Sequence, residues 1–89
     1  MRAVITVVGK DAIGILAKVA SLCSVHHINV IEVTQSILQD MFAMIMMVDI
    51  SNINADFVAL GEKLDELGKS LGLSIHTMHQ DIFNSMHRI

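Results

Sequence analysis

The sequence predicts an α+β domain, a four-stranded antiparallel sheet with two helices packed on one face. Three observations predict it. Four β-type runs and two helical stretches follow in the order β-α-β-β-α-β. The chain has 89 residues, enough for one domain with a single helical layer and too little for a deep enzyme cleft. Hydrophobic residues make up 53% and charged residues only 17%, against about 25% charged in ordinary domains. A small chain this apolar is expected to bury part of its surface against a partner.

Residues 2–8, RAVITVV, are rich in β-branched side chains and read as the first strand. Gly9 to Gly14 form a short loop. A helix follows to about His26, with Leu16, Val19, Ala20 and Cys23 spaced as one apolar stripe and Lys18, Ser21 and Ser24 facing away. Residues 28–38 and 41–50 are two β-type runs joined by a tight turn at Gln39-Asp40. Asn52 to Asn54 break the second run and can cap a helix. The second helix is the clearest element. Phe57, Leu60, Leu64, Leu67 and Leu71 make a continuous stripe, Asp56 favours its start, and Gly72 is placed for its C-cap. Residues 73–79, LSIHTMH, alternate as a last strand.

Right-handed crossovers on this order give the ferredoxin-like arrangement, with the first and third strands central and the other two at the edges. Residues 1–80 are expected to form the domain and residues 81–89 a C-terminal helical extension. Two helices can cover only one face, yet the third strand, MFAMIMMV, is apolar on both. The second face must be covered by a partner chain, by the tail DIFNSMHRI, or by both. The tail carries Ile82, Phe83, Met86 and Ile89 on one helical face, and Ile82, Phe83 and Met86 are expected to be buried.

Composition bounds the function. A net charge of -3 and three Phe with no Trp or Tyr argue against general nucleic-acid binding. The single Cys23 excludes an intrachain disulfide and a cysteine-based structural metal site. No apolar stretch is long enough to span a bilayer, so no membrane partner is expected. Met1 and Arg2 lead straight into apolar residues with no leader pattern, so the expected compartment is cytoplasmic.

The loop GKDAIGIL carries the binding chemistry. Gly9 and Gly14 let backbone amides approach a ligand, and a helix N-terminus suits a carboxylate. The competing reading is structural: Gly9 relieves a tight turn, and Gly14 lets the helix pack closely on the sheet. The element order, with D-x-x-G-I-L at Asp11 to Leu16 and I-N-V at Ile28 to Val30, resembles an ACT domain over residues 2–79. It is similar to the ACT modules of the glycine cleavage system repressor. The resemblance implies a regulatory module that binds an amino acid and carries out no catalysis. It places the ligand between the loop of one chain and the sheet edge of a second. The implied site residues are Gly9, Asp11, Ala12, Ile13, Gly14, Ile15 and Leu16, with Asn29 at the start of the second strand. Ile13 stands where the family often has proline, which leaves the loop less rigid. Asp11 suits a ligand amino group, and the amides of Gly14 and Ile15 suit its carboxylate. Asn29 can instead bond the backbone at its own corner.

Other constellations favour packing. His76 and His79 lie three apart on a strand and point to opposite faces, and His26 and His27 close a helix. Surface or capping roles are expected for them, and no metal or other cofactor. Met41, Met44, Met46 and Met47 suit an adaptable core or interface better than a copper site. Cys23 reads as a buried thiol, and Gly61 and Gly68 as close-approach positions on the second helix. An acylphosphatase-like enzyme on this fold would need a phosphate-binding arginine, and the only arginines are Arg2 and Arg88, at the two ends. A metallochaperone would need a two-cysteine loop. Two functions remain. The first is a homodimeric, or larger, amino-acid-binding regulatory module acting on a regulatory protein target. The alternative is a protein-protein interaction and dimerisation module with a vestigial ligand loop.

Overall fold

A computed structural model of the chain describes residues 1–10, 14–53 and 56–86. The elements are β1 (Arg2–Lys10), α1 (Ile15–Val25), β2 (Asn29–Leu38), β3 (Met41–Asp49), α2 (Phe57–Leu71), β4 (Leu73–His79) and α3 (Gln80–Met86). The strands form one antiparallel sheet in the order β2-β3-β1-β4. This is the expected ferredoxin-like topology, with β1 and β3 in the centre.

The pleat sorts β1 and β3 into two sets. Ala3, Ile5 and Val7 on β1 and Phe42, Met44, Met46 and Val48 on β3 are buried in the core beneath the helices. Leu60 and Leu64 of α2 are fully buried against them, with Phe57, Leu67 and Leu71 partly buried along the same stripe. The N-cap of α2 is Asp56, without a side-chain capping bond, rather than the segment from Asn52. Gly72 ends the helix at φ 73°, its N–H donating to the carbonyls of Gly68 and Lys69. Gly68 meets the expected close approach, because a Cβ there would lie 2.9 Å from the Leu73 carbonyl oxygen. Gly61 does not, since a Cβ there would meet nothing within 4 Å.

The apolar stripe of α1 keeps Val19 and Cys23 as expected but begins at Ile15 in place of Leu16. Ile15, Val19 and Cys23 face the core, and Leu16 is 38% exposed. Ile15 and Leu16 are both apolar, but neighbours on a helix lie about 100° apart and only one can face the sheet. Ile15 continues the line of Val19, Leu22 and Cys23, and Leu16 does not. The helix closes at His26. His27 takes φ 58°, and the Ile28 N–H returns to the Cys23 carbonyl at 2.9 Å, a helix-ending bond that turns the chain into β2.

The second face carries Val4, Thr6 and Val8 of β1 beside Met47, Ile45 and Ala43 of β3, as the register requires. Helix α3 folds over one end of it. Phe83 lines a cavity of ≈ 220 Å³ together with Val4, Glu32, Thr34, Ile45 and Met47, and Val4 is 1% exposed. The expected burial of the tail holds only in part. Phe83 is half-buried, whereas Ile82 and Met86 are 52% and 65% exposed. A two-turn helix lying on a sheet presents one narrow line of contact, and Phe83 occupies it. Val8, Met41 and Ile45 each remain 42% exposed.

Two measurements check this packing. Gly68→Ala should overpack the α2–β4 contact and lower stability by about 1–3 kcal/mol, seen as a fall in Tm; an unchanged melt would refute the close approach. Truncation after His79 should uncover Val4 and Met47 and promote self-association, read by light scattering. A truncated chain with unaltered size and melting temperature would show that α3 protects nothing.

Candidate ligand site

β1 ends at Lys10, where the ammonium pairs with Asp40 of the β2–β3 turn at 3.6 Å. Both side chains are exposed, so the pair contributes little beyond bracing the loop base. Asp11, Ala12 and Ile13 lie outside the described residues. Gly14 resumes the chain as the N-cap of α1 at φ 75°, and a Cβ there would meet nothing within 4 Å. The glycine is thus required by its left-handed backbone and not by packing against the sheet, and the space beside it is open. Among the described residues no side chain caps α1 and no acidic residue occupies its first turn, where the unpaired N–H groups form the positive end of the helix dipole.

The neighbouring positions divide between packing and exposure. A Cβ on Gly9 would collide with the Leu73 side chain, so this glycine serves the β1–β4 contact. Ile15 is 3% exposed in the core and can offer a ligand only its backbone N–H. Leu16 is exposed beside the loop.

Asn29 sits elsewhere. In the register, Asn29 pairs with Asp49 and Asp49 with Arg2, whereas the loop follows Lys10, which pairs with Met41. Eight strand steps separate Arg2 from Lys10, roughly 26 Å. Within one chain the loop and Asn29 therefore lie at opposite ends of the sheet and cannot hold one small molecule. Around Asn29 are the Met1 amino group, 2.9 Å from Ser51 Oγ and 3.9 Å from Asp49 Oδ1, and the Ser51 N–H, which donates to Asp49 at 2.8 Å. The hydrogen bonds from Ser51, side chain first, hold the Asp49 carboxyl below its usual pKa. The Asn29 side chain is exposed, and among the described residues it has no hydrogen-bond partner.

Three further titratable groups, His79, His26 and Cys23, have packed surroundings. His79 stacks on Phe57 with ring centroids 4.3 Å apart. His26 is 7% exposed and its Nε2 lies 3.4 Å from Lys63 Nζ. Burial pushes the Cys23 thiol up from its ordinary pKa. Met44 and Met46 are core side chains. Among the described residues no three His, Cys, Asp or Glu side chains group as a metal site, and no helix is long and apolar enough to cross a membrane. One feature escaped the sequence reading, an open groove of ≈ 710 Å³ between α1 and α2 that includes Lys18, Leu22, Val25, Lys63 and Leu67. Its signal was Val25, an apolar residue in line with Lys18 and Ser21 on the face assigned to solvent.

The chain thus combines a ferredoxin-like sheet with a first helix that starts at a left-handed glycine. The family comparison agrees, because the ACT domain model matches residues 2–78. The chain belongs to the ACT domain family, a family of regulatory ligand-binding modules. It is 41% identical over 88 residues to a UPF0237 protein of Methanocaldococcus jannaschii, covering 99% of this chain and 98% of that one. The solved ACT domain protein from Streptococcus pneumoniae superposes with a TM-score of 0.81 at 34% identity, with 93% of each chain covered. A protein assigned as a glycine cleavage system transcriptional repressor superposes with a TM-score of 0.68 at 26% identity, over 85% of this chain and 43% of that one.

The loop's backbone makes a stability prediction. Gly14→Val forces a β-branched residue to positive φ and should cost about 1–2 kcal/mol, whereas Gly14→Asn should cost less. Denaturant titration of both variants checks the order; equal stabilities would show that Gly14 does not need its left-handed conformation.

Proposed function

We propose that the chain is an amino-acid-binding regulatory module that acts as a homodimer, with each ligand held between two protomers. The observation that carries this reading is the separation of the loop from Asn29. A two-fold pairing of β2 edges runs the strands antiparallel, and it carries Asn29 of the partner subunit toward the loop end of the first. β2 is an edge strand and exposes Ile31 at 42% and Ile37 at 74%, which suits such a join. The ligand carboxylate meets the N-terminus of α1 beside Gly14, and Asn29 of the partner subunit, able to donate and accept, bonds its polar groups. Asp11 offers a negative charge for the amino group. The module performs no reaction and signals through shape or through a protein target.

A second reading is an interaction module that uses the dimer alone. The exposed Val8, Met41 and Ile45 on the open sheet face favour it.

A thermal-shift screen of the twenty amino acids tests the first reading. At about a hundred times Kd a ligand adds about 2.7 kcal/mol, a shift on the order of 10 °C for a domain this small. Asn29→Ala should then weaken binding by about one to two decades. Mixing Gly14→Val with Asn29→Ala protein should restore one intact site per mixed dimer, read by calorimetry. Sedimentation as a monomer at micromolar concentration, or no restoration on mixing, would reject the shared site.

A further inference from the structure

Helix α3 covers the second sheet face unevenly. It begins at Gln80, beside Met1 and Arg2, and its Phe83 shares a cavity with Val4, Ile45 and Met47. This is the end of the sheet where Arg2 pairs with Asp49. Toward the Lys10 end, among the described residues, no element lies on the face. There Ser36, Ala43, Val8 and Ser74 stand level across the four strands, a row of short side chains pointing the same way as Val4. Val8 in this row and Ile45 at its border are each 42% exposed. Lys10 is the one Lys, Arg, Asp or Glu on the strands of this half, and it pairs with Asp40 at the rim. On α3, Ile82 is next to Phe83 in sequence, about 100° round the helix from the side that meets the sheet, and is 52% exposed.

We infer that the open half of this face seats α3 from a second copy of the chain, in a two-fold pair with the two sheet faces turned toward each other. The symmetry itself selects the occupant. A two-fold axis lying between the sheets and running across the strands exchanges the Arg2 end of one sheet with the Lys10 end of the other. It sets the α3 of each copy over the half that the other copy's own α3 leaves bare. Ile82 then gains apolar neighbours at Val8 and Ile45, and the row of short side chains leaves depth for a helix. The area suffices. Four strands about 4.8 Å apart and about 26 Å long present a face of about 500 Å². Two such faces with pleats and helices reach the ~1,200–2,000 Å² of stable complexes. The scarcity of charge matches the centre of an interface, and a face this open does not enclose a small molecule. The contact uses neither the β2 edge nor the ligand loop, so it stands or falls apart from the amino-acid site. With β2 edges joined as well, two such pairs make a tetramer.

Sedimentation of the full chain and of two variants tests the pairing. Ile82→Asp and Val8→Lys each bury an unpaired charge in the contact, so each should halve the sedimenting mass at micromolar concentration. Both side chains are exposed in the single chain, and circular dichroism should show both variants folded. An equal mixture of the two variants should recover the full mass. Each mixed pair sets Lys against Asp at one seat and keeps Val8 and Ile82 at the other. Val58→Asp, at an exposed apolar position on α2, should leave the mass unchanged. A fall from tetramer to dimer leaves the β2 join standing, whereas a fall from dimer to monomer removes it; either supports the face-to-face pair. A monomeric wild-type chain, variants that keep the wild-type mass, or a mixture that stays at half mass would overturn it.

Discussion

The structure depends on β3 being apolar on both faces while occupying the centre of the sheet. Its core-side residues Phe42, Met44, Met46 and Val48 are sealed by α1 and α2. Its other side presents Met41, Ala43, Ile45 and Met47, where an ordinary antiparallel sheet would turn polar. That imbalance accounts for the position of α3, which shelters Val4 and Met47 at one end. It also accounts for the exposed Val8 and Met41 toward the other.

The two ends of the sheet have different characters. At the loop end the chain leaves Lys10, passes through Asp11–Ile13 and enters α1 through a left-handed glycine. At the far end the amino terminus, Ser51 and Asp49 hold one another, and the exposed Asn29 stands beside them with no hydrogen-bond partner among the described residues. A bulge between Val30 and Glu32 separates Asn29 from the rest of β2. It allows Val30 and Val33, three apart, both to pack on the core.

Most of the fold was legible in the sequence because the signals were long. The α2 stripe, the turn at Gln39-Asp40 and the order of elements follow from periodicity and chain punctuation. The register of α1 was not legible, since Ile15 and Leu16 offer competing stripes and only the contact with the sheet chooses. The depth of α3 was not legible either, because a short amphipathic segment does not reveal how much of its apolar face its docking surface can reach. At the candidate site, glycine content drew attention to the segment but did not reveal the separate reasons for Gly9 and Gly14. One serves contact with Leu73 and the other a positive φ. The distance between the loop and Asn29 required the strand register, which no local pattern contains.

The pleat of β3 also sorts its sulfur chemistry. Met44 and Met46 are 1% and 0% exposed, while Met41 on the same strand is 42% exposed and Met1 and Met86 more so. A peroxide therefore reaches thioethers at the strand's end and at the chain termini long before it reaches the two in the core. Sulfoxide at Met41 leaves the fold intact, whereas sulfoxide at Met44 or Met46 places a polar group in the packed interior and forms only when the sheet opens. The outer methionines are thus sacrificial, and the inner pair records whether the protein has unfolded.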